Sequence, residues 1–542
     1  MPRMTGGEAL VKSLYREGVR VIFGLPGVQT YGAMAALRDE PGIRFIATSH
    51  EQATSYMADG YARAGGRFGT ALVVPGPGLL NAAAGLSTAY SASSPVLMIS
   101  GQIPKKNIGR KVGVLHEVDD QLDAIAPVTK WRRRVLEIAE IPAAIREAVV
   151  QLSTGRPRPV EVELPPDTME EDGEVELLTP GDPVRPAAGA ADIDRAAEML
   201  SASSRPLIYA GGGVHLSGAH EPVAALAEYL QAGVVQSNEG KGAVSDASDL
   251  SLGAALWRQS PLRRHVDAAD VILAVGTRLA LASLQPEQQV IQIDIDGEEV
   301  GRNHKKTFGL VGDAKATLER LLERVRVAAP PRPSRKAERE ALRAEIAAMA
   351  TQEPQASILK ALRSGTPEDA ILVVDSTQIG YYSRPFWPVY QPRTYITSSY
   401  SGNLGYAYPT ALGAKVARPD RPVLSISGDG GFQYNVQELA TAVQYGINVV
   451  AVVFNDNSYG NVARDLDESW GGSYGADLVN PDFIKLAEAY GVVGMRAVNP
   501  TDIGRLVADA VRLERPVLIE VPVGRMPRPV FFMMGRPARP RP

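Results

Sequence analysis

Cysteine is absent from all 542 residues, which excludes disulfides, zinc–thiolate and iron–sulfur centres and any thiol nucleophile. Catalysis would fall to oxygen and nitrogen side chains or to a cofactor. No run of about twenty apolar residues occurs, the length a membrane-crossing helix needs, and no charged n-region precedes an apolar h-region. Neither a membrane span nor a secretory signal is expected, and the expected location is cytoplasmic. An excess of positive charge is missing too. With 57 Lys and Arg against 61 Asp and Glu, the net charge is −4, which offers no basic field to a nucleic acid. The remaining composition, 45% hydrophobic and 22% charged, is that of a globular protein whose length implies three or four domains.

Strand and helix signals alternate along the chain, the pattern of doubly wound α/β domains with parallel sheets. Thr5 and Glu8 have capping-box spacing ahead of a helix to Glu17. Strands are predicted at 19–23, 43–47, 70–74 and 96–100, helices at 30–37, 51–64 and 79–90, and a Gly24-Leu25-Pro26-Gly27 turn follows the first strand. This first domain covers residues 1–180. It closes with a strand at 159–164 and an acidic, Pro- and Gly-bearing linker over 165–182. A central domain, 187–328, has strands at 206–210, 271–275 and 290–295 and a Gly211-Gly212-Gly213 run that lacks full G-x-G-x-x-G spacing. A linker over 324–352 carries a charged helix whose basic residues read as a solvated face. The third domain covers 353–523, and 524–542 form a tail that either covers a site or frays.

The densest signal lies in the third domain. An apolar run at 423–427 stops at Gly428-Asp429-Gly430-Gly431, the mark of a buried strand opening into a tight loop. Asn435 and Glu438 have a second capping-box spacing, and Val436, Leu439, Ala440 and Val443 then share one helix face up to Gly446. The β-branched run at 449–454 reads as a strand buried on both faces. A strand, helix and strand of this length form a right-handed crossover that brings both loops to one edge, where open α/β sheets bind ligands. Asp429 and Asn455-Asp456-Asn457-Ser458 therefore converge. Oxygen ligands from two loops, beside open backbone N–H groups, suit a hard cation holding a diphosphate, and Mg²⁺ is the expected ion.

Gly-Asp-Gly, a helix, and a strand ending in Asn-Asx together resemble the coenzyme motif of the thiamin diphosphate enzymes of the acetolactate-synthase and 2-oxo acid decarboxylase group. The resemblance runs over about residues 4 to 523. It implies an N-terminal pyrimidine-binding domain, a Rossmann-like central domain and a C-terminal diphosphate-binding domain. Carried over residue by residue, it makes Asp429, Asp456 and the Ser458 carbonyl the metal ligands. It nominates Pro26, Thr377, Gln378, Gly428, Gly430, Gly431, Tyr459, Gly460 and Asn461 as coenzyme contacts. Ser401-Gly402-Asn403-Leu404-Gly405-Tyr406 resembles the loop beneath the coenzyme's bend, with Leu404 as the apolar wedge where synthases usually carry Met. Most members place Asn where this chain has Asp456, so the site carries an extra negative charge.

His50-Glu51-Gln52, with Met57 to Arg63 behind it, resembles the segment that supplies the activating glutamate. A carboxylate in a first helical turn also suits the helix dipole. The resemblance implies more: Glu51 bonds N1′ of the aminopyrimidine and promotes the tautomer that removes the C2 proton. In the family this glutamate reaches into a partner's site, which implies a homodimer or homotetramer with active sites at the interface. Val74-Pro75-Gly76-Pro77-Gly78 forms a tight turn that lies near the active site in relatives. Val114 to Asp119 aligns with a segment that reads Phe-Gln-Glu in acetolactate synthases. Leu115 and His116 replace Phe and Gln, making His116 a candidate proton donor or substrate anchor.

Flavin-binding synthases carry Met-His-Gly and Asp-Arg-Val-Thr where this chain has Leu256-Trp257-Arg258-Gln259 and Thr277-Arg278-Leu279-Ala280. FAD is not expected, which leaves the central domain a structural spacer or an altered nucleotide pocket. The implied activity is a thiamin diphosphate- and Mg²⁺-dependent carbon–carbon lyase and carboligase acting on a 2-oxo acid. An aldehyde-releasing decarboxylase, an acyl-CoA lyase and a diketone hydrolase stay open. A binding protein without turnover is the remote alternative, since Glu51 and both metal carboxylates are in place.

Overall fold

The computed structural model describes residues 2–181, 184–280, 282–529 and 531. Its core is three six-stranded sheets, and every strand pair in them is parallel. The central strands are the uninterrupted apolar runs, such as Gly69–Val73, Val271–Val275 and Val449–Asn455, which helices cover on both faces. Counted in chain order within each sheet, the first and third sheets share the order 2-1-3-4-6-5, whereas the central sheet has 3-2-1-4-5-6. The latter is the dinucleotide-binding order, with its switch point between Pro206–Ala210 and Val271–Val275. Among the described residues no helix is long and apolar enough to cross a membrane.

Val423–Gly428 and Val449–Asn455 pair directly in parallel, so the loops after them do share an edge. The helix between them departs from expectation. It spans Glu438–Tyr445, without a side-chain cap, and the Asn435/Glu438 capping box does not form. Asn435 Nδ2 donates instead to the Gly405 carbonyl at 2.8 Å, and Glu438 turns toward Ser49 of the first domain. Buried tertiary partners have taken both side chains from the local pattern. The Thr5/Glu8 box does form.

Other differences have similar causes. The strand Trp131–Arg134 was hidden by three consecutive arginines at a sheet edge. Within the acidic 165–182 stretch, Asp172–Glu174 pairs antiparallel with Arg3–Thr5. The charged helix Lys336–Ala347 is not wholly a solvated face: Arg339 is 3% exposed and forks onto Asp249 at 2.9 and 2.6 Å. The described part of the tail packs back on the third domain. Met526 is buried, and Gln355 and Gln352 donate to the carbonyls of Pro527 and Arg528 at 2.7 and 2.8 Å. Residues 532–542 lie outside the described residues.

The first and third domains lock through two helices, Glu51–Ala64 and Ala407–Ala417. They cross in backbone contact because each supplies a glycine at the crossing. A Cβ on Gly60 would lie 1.9 Å from the Thr410 carbonyl oxygen, and one on Gly413 would lie 1.9 Å from that of Met57. Tyr56, Met57, Tyr406 and Tyr408 fill the space beside the crossing as one buried cluster. Gly60→Ala must push the helices apart. It is expected to lower stability by about 1–3 kcal/mol, read as a lower midpoint of urea unfolding by near-ultraviolet circular dichroism.

Candidate active site

The carboxyl ends of Ile371–Val374, Val423–Gly428 and Val449–Asn455 open into a cleft of about 270 Å³. Its walls include Thr377, Gln378, Gly402, Leu404, Gly428, Asp429, Gly430, Gly431, Asp456, Ser458, Tyr459, Gly460 and Asn461. Two helices, Gln378–Phe386 and Gly460–Trp470, start at the cleft and aim their positive ends into it. The N-cap Thr377 makes no capping hydrogen bond with its side chain, which leaves the hydroxyl for a ligand. Gln378 Nε2 donates across the cleft to Asn461 Oδ1.

Asp429 is 2% exposed. Its Oδ1 accepts the Gly430 N–H at 2.9 Å, and its Oδ2 accepts Asn480 Nδ2 at 2.6 Å. Burial raises its pKa above the usual carboxylate range. Asp456 is raised as well, first by burial and then by the Asp429 charge. Among the described residues no three acidic, His or Cys side chains cluster as a metal site. The candidate set is two carboxylates and a carbonyl. Asn480, which sequence reading missed, also donates to Asn455 Oδ1 at 2.8 Å. It is brought there because Tyr459 and Leu478 exchange backbone bonds with Ala476 and Asn457, and no local pattern announces that pairing.

A second missed residue is Asp375. It is buried at the end of its strand, its Oδ2 accepts the Gly405 N–H at 2.9 Å and its Oδ1 the Ser376 N–H at 2.8 Å. Burial pushes its carboxyl up to about 7. Asp375 thereby holds the 401–405 loop with Leu404 facing the cleft. Asn403 is turned elsewhere: its Oδ1 accepts the Thr88 hydroxyl at 3.0 Å, tying the loop to helix Pro77–Ala92.

Glu51, His116 and Pro26 gather at the corresponding edge of the first sheet, away from the wall of the cleft. Glu51 opens its helix, and its Oε2 accepts Asn81 Nδ2 at 3.0 Å. The Pro75-Gly76-Pro77 turn packs directly under His116. Gly76 has φ +58, and a Cβ there would meet the His116 carbonyl oxygen at 2.4 Å. Buried Gln121 accepts the Gly76 N–H at 3.1 Å. Gln29, also unforeseen, donates from Nε2 to the Leu115 carbonyl at 3.2 Å, which turns its Oε1 toward His116 Nδ1 at 3.1 Å. An amide oxygen only accepts, so Nδ1 carries the proton in this contact and Nε2 is the nitrogen Gln29 does not engage.

Residues 4–124, 193–321 and 375–521 match, in turn, the N-terminal TPP binding domain, the central domain and the C-terminal TPP binding domain of the thiamine pyrophosphate enzymes. The chain is 34% identical to a probable acetolactate synthase large subunit of Methanocaldococcus jannaschii, over 96% of this chain and 92% of that protein. The chain belongs to the thiamin diphosphate-dependent enzymes. It falls in their acetolactate-synthase-like group. It is also 32% identical to an acetolactate synthase large subunit of Escherichia coli, over 96% and 95% of the two chains. A probable 2-ketoarginine decarboxylase of Pseudomonas aeruginosa is 35% identical, over 93% and 91%.

The cleft of this thiamin diphosphate enzyme suits its coenzyme. Two helix N-termini and open glycine N–H groups are complementary to a diphosphate, and Leu404 is a wedge for a bent molecule. The two carboxylates raised by burial, Asp456 also by the Asp429 charge, form with the Ser458 carbonyl an all-oxygen set whose charge a magnesium ion would neutralise.

The central domain holds a second cavity, of about 870 Å³, at its switch point, lined by Gly212, Gly213, Gly276, Thr277, Arg278 and Asp294. The domain is therefore not a solid spacer. Trp257, from the segment that carries Met-His-Gly in flavin-binding relatives, packs instead into an aromatic core, 6.0 Å from Phe386 and 5.6 Å from Phe531. Arg278 stacks on Tyr400 at 4.6 Å.

Chelation of divalent cations is expected to release the coenzyme on gel filtration, and Mg²⁺ to restore binding. Asp429→Asn should weaken Mg²⁺ by about tenfold or more, since affinity follows ligand charge. The Mg²⁺ dependence of coenzyme binding measures this.

Proposed function

We propose that this enzyme is a Mg²⁺-dependent carbon–carbon lyase and carboligase that acts on a 2-oxo acid without a flavin. The observation that carries the reading is one cleft in which two helix N-termini, the Asp429/Asp456 pair and Leu404 face the same space. The relatives named as acetolactate synthases support it over nearly the whole chain. Bound thiamin diphosphate supplies the carbon nucleophile for a 2-oxo carbonyl and the electron sink that lets CO₂ leave.

The protein's part is to hold and to move protons. Thr377, Gln378 and the N–H group at Gly460 grip the diphosphate; Asp429, Asp456 and the Ser458 carbonyl hold the ion. Glu51 exchanges a proton with N1′ of the aminopyrimidine. Glu51→Gln should keep coenzyme affinity within about threefold and lose about 100-fold or more in turnover. Unchanged turnover would remove Glu51 from the mechanism.

Because Glu51 is no part of its own chain's cleft wall, the reading places it against the cleft of a second copy, in a homodimer or a pair of dimers. Large apolar side chains are exposed on both surfaces this requires: Tyr31, Leu80 and Leu115 on the Glu51 side, Tyr434, Val462 and Trp470 around the cleft. Glu51→Gln and Asp429→Ala subunits, each inactive, should complement when mixed. Random heterodimers keep one intact site each, so about a quarter of wild-type turnover is expected. No recovery would confine the site to one chain.

A second reading, an aldehyde-releasing decarboxylase, is favoured by His116. With Nδ1 engaged by Gln29, Nε2 is the nitrogen left to take up a proton and then deliver it to free an aldehyde, and one relative bears the name of a decarboxylase. A panel of 2-oxo acids, with thiamin diphosphate and Mg²⁺ supplied and FAD withheld, separates the readings by product mass. A ketol supports the carboligase and free aldehyde the decarboxylase. CO₂ release only after FAD is added would overturn the flavin-free assignment.

A further inference from the structure

The helix Glu438–Tyr445 follows closely on the 428–431 loop, yet its first side chain leaves the third domain. Glu438 is fully buried. Its two carboxylate oxygens accept the Ser49 N–H at 3.2 and 3.1 Å, and the Thr441 hydroxyl donates to the second oxygen at 2.6 Å. Beside it, the Ser49 hydroxyl donates to the Gln437 carbonyl at 3.2 Å. At the far end of the same helix, the Tyr445 hydroxyl accepts the Ala47 N–H at 2.9 Å, and the Tyr445 carbonyl accepts Arg44 Nη2 at 3.2 Å. One face of a third-domain helix thus grips residues 44–49 of the first domain, the strand and turn that lead into Glu51.

Inside the turn the constraint is passed on. The Thr48 hydroxyl donates to the His50 carbonyl at 3.0 Å, and His50 Nδ1 accepts the Gln52 N–H at 3.1 Å as N-cap of the Glu51–Ala64 helix. Behind that first turn the helix is held rigidly by the Gly60/Gly413 crossing. The freedom left to Glu51 is the freedom of its N-terminal turn. A buried carboxylate without a cationic partner is unfavourable, and burial pushes Glu438 up to about 7. An apolar side chain would fill this space more stably but would leave the Ser49 N–H without an acceptor.

We propose that Glu438 is the positioning residue for Glu51: by holding the Ser49 main chain it fixes the turn that presents the activating carboxylate. The proposal rests on the role of Glu51 given above. In the shared-site homodimer it has a second consequence, because a chain's Glu51 serves one site while its 428–431 loop serves the other. The Glu438–Ser49 bond is then a direct mechanical link between the two sites of a dimer.

The test uses full-length Glu438→Gln, which keeps size and loses charge, beside Glu438→Ala. In the coenzyme-free protein, amide hydrogen exchange over residues 47–52 should quicken by about tenfold in Glu438→Ala, which removes the acceptor of the Ser49 N–H, and less in Glu438→Gln, whose amide oxygen keeps one acceptor. The inner turns of the Glu51–Ala64 helix should exchange as in wild type. In the loaded enzyme, kcat should fall about 10- to 100-fold while the KM for thiamin diphosphate stays within about threefold, the split expected when positioning and not binding is lost. Wild-type exchange at the turn, or wild-type kcat, in Glu438→Ala overturns the proposal. Should that variant not fold, Thr441→Val removes the hydroxyl that orients the carboxylate and should shift both readouts the same way by less; no shift overturns the proposal equally. Glu51→Gln separates the two levels. If it turns over normally, the role of Glu51 falls and the proposal with it; if it is dead while Glu438→Ala is fully active, only the positioning role falls.

Discussion

The structure depends on one close contact, the crossing of Glu51–Ala64 and Ala407–Ala417 with a glycine from each helix at the touching point. Interiors are packed like organic solids, so two helices brought to backbone distance cannot slide without opening voids. The crossing fixes where the first sheet lies against the third. It therefore fixes where the carboxylate at the head of one helix lies relative to the loops that follow the strands of the other domain. Glu51 and the glycine-loop edge of the cleft belong to separate sheets, and this contact makes their relation rigid.

Around that frame the polar chemistry follows one rule: buried carboxylates hold backbone. Asp375 holds Gly405 and so aims Leu404; Glu438 holds Ser49. Each is desolvated and raised to about 7, a cost tolerated because an unpaired N–H at either place would also be costly. Asp429 and Asp456 differ. They are raised by burial, and Asp456 also by its neighbour's charge, a repulsion that a divalent cation converts into attraction. The same residue type serves as scaffold in two places and as a waiting ligand pair in a third. The difference lies in whether backbone donors or a second carboxylate face it.

The repeated strand order of the first and third sheets gives both the same ligand-facing edge. One edge gathers glycine loops and helix N-termini, suited to a diphosphate. The other gathers Glu51, Asn81, Gln29 and His116, suited to proton handling. The central sheet, with a different order, carries a cavity at its own switch point, and Ser93 and Arg156 of the first domain and Thr397 and Tyr400 of the third complete its walls.

Much of this was legible in one dimension. β-branched runs closed by glycine marked the buried strands, because side-chain period and turn chemistry are local. The Gly428-Asp429-Gly430-Gly431 loop and the 455–458 group converge because a crossover of that length has one handedness. The sequence by itself determined the alternating α/β class, the parallel sheets and most residues that line the cleft. Tertiary structure decided what depends on distant neighbours. Asn480, Gln29 and Asp375 reached the sites through pairings with no sequence period, and Asn403 was drawn away to Thr88. Glu438 read as a helix cap and became a clamp on another domain. A capping box is worth about 1 kcal/mol, whereas leaving the partly buried Ser49 N–H without an acceptor would cost about 1–3 kcal/mol.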